Sequence, residues 1–165
     1  MLVLTLTLLL ATILLLINWN KALHPVEIVL NWMVNAMINE VFILITIVNL
    51  DLIQLSNKPI SAITFLIGNI YLIPMLTLCF LSLFISLKST WMRMALFMIS
   101  LLIHGSCLYV GYGLGLVKLV HWSYYPSILY WAVILCLNVF IVFSYRKLLV
   151  RAGIMNGSIN ISKKL

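Results

Sequence analysis

Charge is what this chain has least of. Aspartate and glutamate together number 3 in 165 residues, and the charged types sum to 8%, against about a quarter in ordinary soluble domains. Cysteine is scarce and odd in number. Cys79, Cys107 and Cys136 lie far apart inside apolar runs, without CxxC or Cys/His zinc spacing, so neither a disulfide framework nor a zinc module is expected. They read as small packing residues. With so few acids, paired catalytic carboxylates are absent, and no HExxH, nucleophile constellation or haem-type His pair occurs. His24, His104 and His121 fall at three different depths along the chain's helices, so no two are placed to share a metal. No catalytic residue, metal or cofactor is expected, and the chain reads as a non-enzyme.

Apolar residues dominate instead: 65% of the chain, with a mean hydropathy of +1.22. A soluble fold of this size would expose much of that surface to water, whereas a bilayer removes the problem. The net charge of +7 would raise nucleic acid as a partner in a soluble protein. Here the basic residues fall almost wholly in loops and the tail, with no basic patch interleaved with aromatics, so nucleic acid is discounted and the lipid bilayer is the expected partner.

Five apolar runs of membrane length predict an all-α polytopic bundle, with helices over 1–17, 26–50, 60–87, 91–117 and 122–145. Short loops make consecutive helices antiparallel neighbours, and residues 1–152 form one transmembrane domain. The polar, basic stretch 153–165 reads as a disordered cytoplasmic tail or one held to anionic lipid by its lysines. With the amino terminus outside and the carboxyl terminus cytoplasmic, Lys21, Lys88, Arg93, Arg146, Lys147, Arg151, Lys163 and Lys164 face inward and Lys58 and Lys118 outward, eight against two, as the positive-inside bias requires. The first run lacks a basic n-region and an A-x-A-like site, so it reads as a retained helix rather than a cleaved signal. Trp19 and Trp91 then fall at the inner boundary, and Trp122, Tyr124 and Tyr125 at the outer one, as aromatic belts do.

The second run carries the polar residues. At about 100° per residue, Glu27, Asn31, Asn35, Asn39, Thr46 and Asn49 share a face roughly 120° wide, while Glu40 and Asp51 lie on another. Amides facing lipid would be unpaired, so this face should meet helices or a cavity. Interhelical hydrogen bonding is one reading; a polar path or cleft formed by Asn31, Asn35, Asn39, Glu40 and His104 is the other. Glu40 favours the second, because a carboxylate at that depth costs roughly 2.5 to 3.5 kcal/mol on insertion scales and is normally paired, protonated or wet. His104, at similar depth on the fourth helix with Ser100 one turn earlier, is a candidate partner; a neutral His104 bonded to a backbone carbonyl is the alternative.

Gly111 and Gly115, with Cys107 a turn before, form a small-xxx-small face for close helix approach; a broken helix end is the alternative reading of three glycines in Gly111–Gly115. Tyr109, Tyr112, Lys118, His121, Trp122, Tyr124 and Tyr125 form an aromatic outer rim, which reads as an interfacial belt or as a binding mouth for a small molecule or peptide. Pro74 should kink the third helix and free the Ile70 carbonyl, and Pro126 suits the first turn of the fifth.

In length and helix count the chain resembles the small five-helix membrane subunit of respiratory complex I. It lacks that subunit's glycine-containing Tyr/Val motif in the third helix, and no residue role is carried over. The abundance of Ile, Leu, Asn, Lys and Met suggests an AT-rich genome and hence the cytoplasmic membrane of a low-GC bacterium. Two functions are expected. The first is a membrane component or accessory subunit acting through helix packing, against a membrane-protein partner or as a homo-oligomer. The second is a small transporter, channel or sensor built on the polar cleft.

Overall fold

A computed structural model describes residues 2–19 and 23–153, without the side chains of residues 17–19. It is 82% helical. The elements in order are α1 (Leu2–Trp19), α2 (Pro25–Ile43) running on through a π turn (Leu44–Asn49), strand β1 (Ile53–Leu55), α3 (Pro59–Ile67), a second π turn (Gly68–Leu72), α4 (Ile73–Ser86), α5 (Thr90–Gly113), strand β2 (Val117–Leu119) and α6 (Tyr124–Arg151). Prolines set several starts: Pro25 and Pro59 lie in the opening turns of α2 and α3, where a missing N–H costs nothing.

Four helical rods are long and apolar enough to cross a membrane: Pro25–Asn49, Pro59–Ser86, Thr90–Gly113 and Tyr124–Arg151. Only 28% to 44% of an 18-residue apolar stretch in each is buried inside the protein, and the outward faces are apolar too, with Met37, Val48, Leu129 and Phe140 each more than two-thirds exposed. Rods that are apolar all round belong in hydrocarbon. This is an all-α, multi-pass membrane bundle.

The bundle has two ends. Lys88, Arg93, Lys147 and Arg151 cluster near one, the basic end, where α2 starts and α6 finishes. At the other, β1 and β2 pair antiparallel with Gln54 opposite Lys118, linking two loops far apart in sequence. Ile53 and Val117 of this ribbon point inward onto Ile43, Phe65 and Leu116. The larger core joins α4, α5 and α6 through Leu78, Leu81, Leu101, Trp131, Leu135 and Val142.

Two boundaries and the interior of two rods differ from the sequence expectation. The fourth run was expected to be helical to residue 117, yet α5 stops at Gly113. Gly115 adopts φ 68°, its N–H donates to the Tyr112 carbonyl, and the Leu116 N–H donates to the Gly111 carbonyl, both at 2.9 Å. That is a Schellman closure, which needs a left-handed residue and so favours glycine. The fifth run was expected to end at residue 145, whereas α6 continues to Arg151. In the interiors, π turns interrupt the second and third rods. The tail beyond residue 153, Asn20 and Lys21 lie outside the described residues, as does the Trp19 side chain.

Candidate functional site

The polar face of α2 is buried against α6 and the α3–α4 rod. At the basic end, Glu27 and Arg146 are 0% and 3% exposed. Arg146 Nε donates to Glu27 Oε1 at 2.7 Å and Nη2 to Oε2 at 3.1 Å, a two-pronged charge-assisted contact. The His24 backbone N–H donates to the same carboxylate at 2.8 Å, fastening the first turn of α2. Arg146, expected beyond the fifth helix among the inner basic residues, lies instead within α6, and its pairing with Glu27 follows from α6 continuing past residue 145.

One turn inward, Asn31 Nδ2 donates to the Glu27 carbonyl, while Asn31 Oδ1 is enclosed without a donor among the described residues. At the next level Asn35 and Asn138 face each other as an amide pair. Asn35 Nδ2 donates to Asn138 Oδ1 at 2.6 Å, and Asn138 Nδ2 returns to Asn35 Oδ1 at 2.9 Å. Their second N–H groups go to the Asn31 and Ile134 carbonyls. Each amide makes three bonds, so both N–H donors of each are committed within the protein and each oxygen already accepts once.

Asn39 serves a backbone defect. Pro74 has no N–H, and the π turn before it sets an i to i−5 register in which Ile73 bonds to Gly68. The carbonyl that Pro74 cannot reach is therefore that of Asn69, rather than the expected Ile70. Asn39 Nδ2 donates to it over a long 3.4 Å, and the Tyr130 hydroxyl of α6 donates to Asn39 Oδ1 at 3.1 Å. Phe42 stacks on the Tyr130 ring at 4.0 Å. Thr46 ends the face by donating to the Phe42 carbonyl.

Glu40 stands apart. It is half-buried on the flank of α2, next to the outward-facing Met33, Met37 and Leu44, and its Oε1 is enclosed with no hydrogen bond among the described residues. It makes none to His104. The buried His104 lies instead between α4 and α5, with Nδ1 2.8 Å from the Ser100 carbonyl and Nε2 3.1 Å from Thr77 Oγ1. A carbonyl only accepts, so Nδ1 carries the proton; the Thr77 hydroxyl beside Nε2 itself donates to the Ile73 carbonyl at 3.1 Å. The Trp131 ring lies 4.9 Å away. The structure thus brings Asn31, Asn35 and Asn39 into one seam with Asn138 and Arg146, and leaves Glu40 and His104 in two other places.

The expected glycine face also divides. Gly111 is buried, and a Cβ there would meet the Phe65 ring at 3.7 Å, an ordinary contact across to α3. Gly115 has nothing within 4 Å of its Cβ position; its role is the helix stop, which corrects the shared packing face. Cys107 donates to the Ile103 carbonyl within α5.

Asn138 and Arg146 were missed. They lie eight residues apart, on the same face of α6 as Ser127, Trp131, Leu135 and Val142, all buried, so a helical wheel of that segment carries the signal.

No family model, curated protein or solved structure matches this chain.

Proposed function

We propose that this chain is a five-span, non-enzymatic membrane component whose intramembrane polar residues hold its own helices in register, so that it acts as a rigid packing unit within a larger membrane assembly. The observation that carries this reading is the seam: Glu27, Asn35 and Asn39 on α2 direct their side chains to Arg146, Asn138, Tyr130 and the Asn69 carbonyl, leaving no shared aqueous cleft with Glu40 and His104. Polar bonds of this kind average roughly 0.6 kcal/mol each in membrane double-mutant cycles, enough together to choose one packing. A bundle stiffened in this way suits an accessory subunit better than a transporter that must alternate between packings.

Two features support a fifth span and the orientation. α1 has 18 residues, or about 27 Å of helix, just under a hydrocarbon core of about 30 Å, and local thinning accommodates the difference. Among the described residues Lys88, Arg93, Lys147 and Arg151 share one end, against Lys58 and Lys118 at the other. By the positive-inside bias, this supports a cytoplasmic basic end with the amino terminus outside. The composition favours the cytoplasmic membrane of a low-GC bacterium.

The test is reconstitution. Proteoliposomes should show no proton or cation flux above empty vesicles, while native mass spectrometry of mildly solubilised membranes should place the chain in an assembly of fixed stoichiometry. Flux that Glu40→Gln abolishes would overturn the reading in favour of a transporter or channel.

A further inference from the structure

The ribbon half of the bundle is not filled. A cavity of about 510 Å³ lies among α1, the two π turns, α5 and α6, within the roughly 300–1,000 Å³ range of ligand pockets. Both π turns wall it, through Thr46 and Ile47 on one side and Gly68, Asn69 and Leu72 on the other. A π turn is rare and widens the rod by one residue, and such bulges gather at functional sites. Two of them around one space make that space a built feature.

Its chemistry is specific. Among the described residues no charged side chain lines it. The hydroxyls of Thr7, Thr46, Thr64 and Ser106, the Cys107 thiol and the Asn69 amide each donate to a carbonyl of their own helix. Of the polar groups on its wall, only the second Asn69 N–H, the Ser127 hydroxyl and the Trp131 indole N–H are not committed in this way, so a quinone or other carbonyl-rich molecule would find few donors for its acceptors. A free fatty acid would find no cation for its carboxylate. What fits is hydrocarbon.

The way in is sideways. α1 leans on α3 and α4, and α5 on α4 and α6, so no tight seam joins α1 to α5. On the α5 side, Leu102, Ile103, Val110 and Leu114 line the cavity while remaining 48% to 57% exposed on the outer surface. At the ribbon end Ile53 and Leu116 roof it, which blocks entry from water.

We propose that this cavity holds one acyl chain of a bilayer phospholipid, which enters between α1 and α5 and leaves its headgroup at the interface. The inference rests on the membrane-spanning reading above. Trp131 lines the cavity and is only 7% exposed, so lipid around the outside of the bundle does not reach it. The experiment uses the full chain reconstituted in phosphatidylcholine vesicles with brominated chains, and assigns emission to Trp131 by difference from Trp131→Phe. The expected result is loss of most Trp131 emission, equal in phosphatidylglycerol vesicles with the same chains because the headgroup stays outside. Retention of Trp131 emission would overturn the proposal. A second arm fills the space with Ser106→Phe or Gly68→Leu: each should restore Trp131 emission and raise Tm in lipid-free detergent, whereas quenching unchanged by both would also overturn it. Resistance of the vesicle-bound chain to alkaline carbonate extraction separates the two claims, since its loss refutes membrane insertion and not the cavity alone.

Discussion

Removing the Arg146 side chain as Arg146→Met strands the Glu27 carboxylate at 0% exposure, with one remaining donor among the described residues, the His24 N–H at 2.8 Å. Breaking one side of a buried ion pair costs about 3–5 kcal/mol. For a chain of this size, each kcal/mol corresponds to roughly 2–4 °C of Tm, which makes the expected fall about 6–20 °C in detergent micelles, followed by tryptophan emission. Glu27→Gln should cost less. The amide oxygen still accepts from His24, and Arg146, near the end of α6, has a long apolar stem that can carry its charge toward the headgroups. The double variant decides the matter. With both charges gone, the penalty for the uncompensated carboxylate vanishes, so Glu27→Gln/Arg146→Met should be more stable than Arg146→Met alone. Strict additivity of the two changes would refute the pairing and with it the register of α2 against α6.

The two glycines of α5 should separate by mechanism. Gly115→Ala should cost about 1–2 kcal/mol, the left-handed penalty for a Cβ, although nothing lies within 4 Å of it; Gly111→Ala, in ordinary contact with Phe65, should be near neutral, and Tm measurements that reversed the order would remove the Schellman reading. Asn39→Ala should cost about 1 kcal/mol in the native background and measurably less beside Pro74→Ala, whose restored N–H can serve the freed carbonyl; equal costs in the two backgrounds would deny that Asn39 answers the proline defect. Glu40→Gln and His104→Gln should act additively on Tm, since their side chains occupy separate places, and a coupling above about 0.5 kcal/mol would put them in contact after all.

How far the sequence reaches is clearest at α2. Its helical period identifies the Asn31, Asn35 and Asn39 face, because a 3.6-residue repeat is a local property. The partner of that face is not local. Asn138 belongs to a helix 103 residues away, and the adjacency of Arg146 to Lys147 makes it look like a loop charge even though it shares a face with Asn138. Pro74 announces a defect in the third rod, but the choice between an α kink and a π register depends on what stands opposite to satisfy the carbonyl, here Asn39. The ribbon pairs Gln54 with Lys118 across two loops, and three-residue strands leave almost no periodicity to read. Glycine is ambiguous for a further reason: the same residue serves close approach at Gly111 and a positive φ at Gly115. The rods themselves were legible to within a few residues, except where α6 runs on to Arg151, since long apolar runs bounded by Pro, Lys and Arg are the strongest local signal a membrane chain carries.

The central claim is that the polar face of α2 is sealed by other helices from Glu27 to Asn39, opens at Thr46 only onto an apolar cavity, and lines no water path. Single cysteines at Asn31, Asn35, Asn39 and Thr46, in a background with Cys79, Cys107 and Cys136 replaced by alanine, can be exposed in intact vesicles to a small charged thiol reagent. The account predicts that none of the four reacts, while a cysteine at Gln54 on the ribbon does. Labelling at Asn35 and Asn39 at the rate of Gln54 would mean that water runs along this face, and the account would fail.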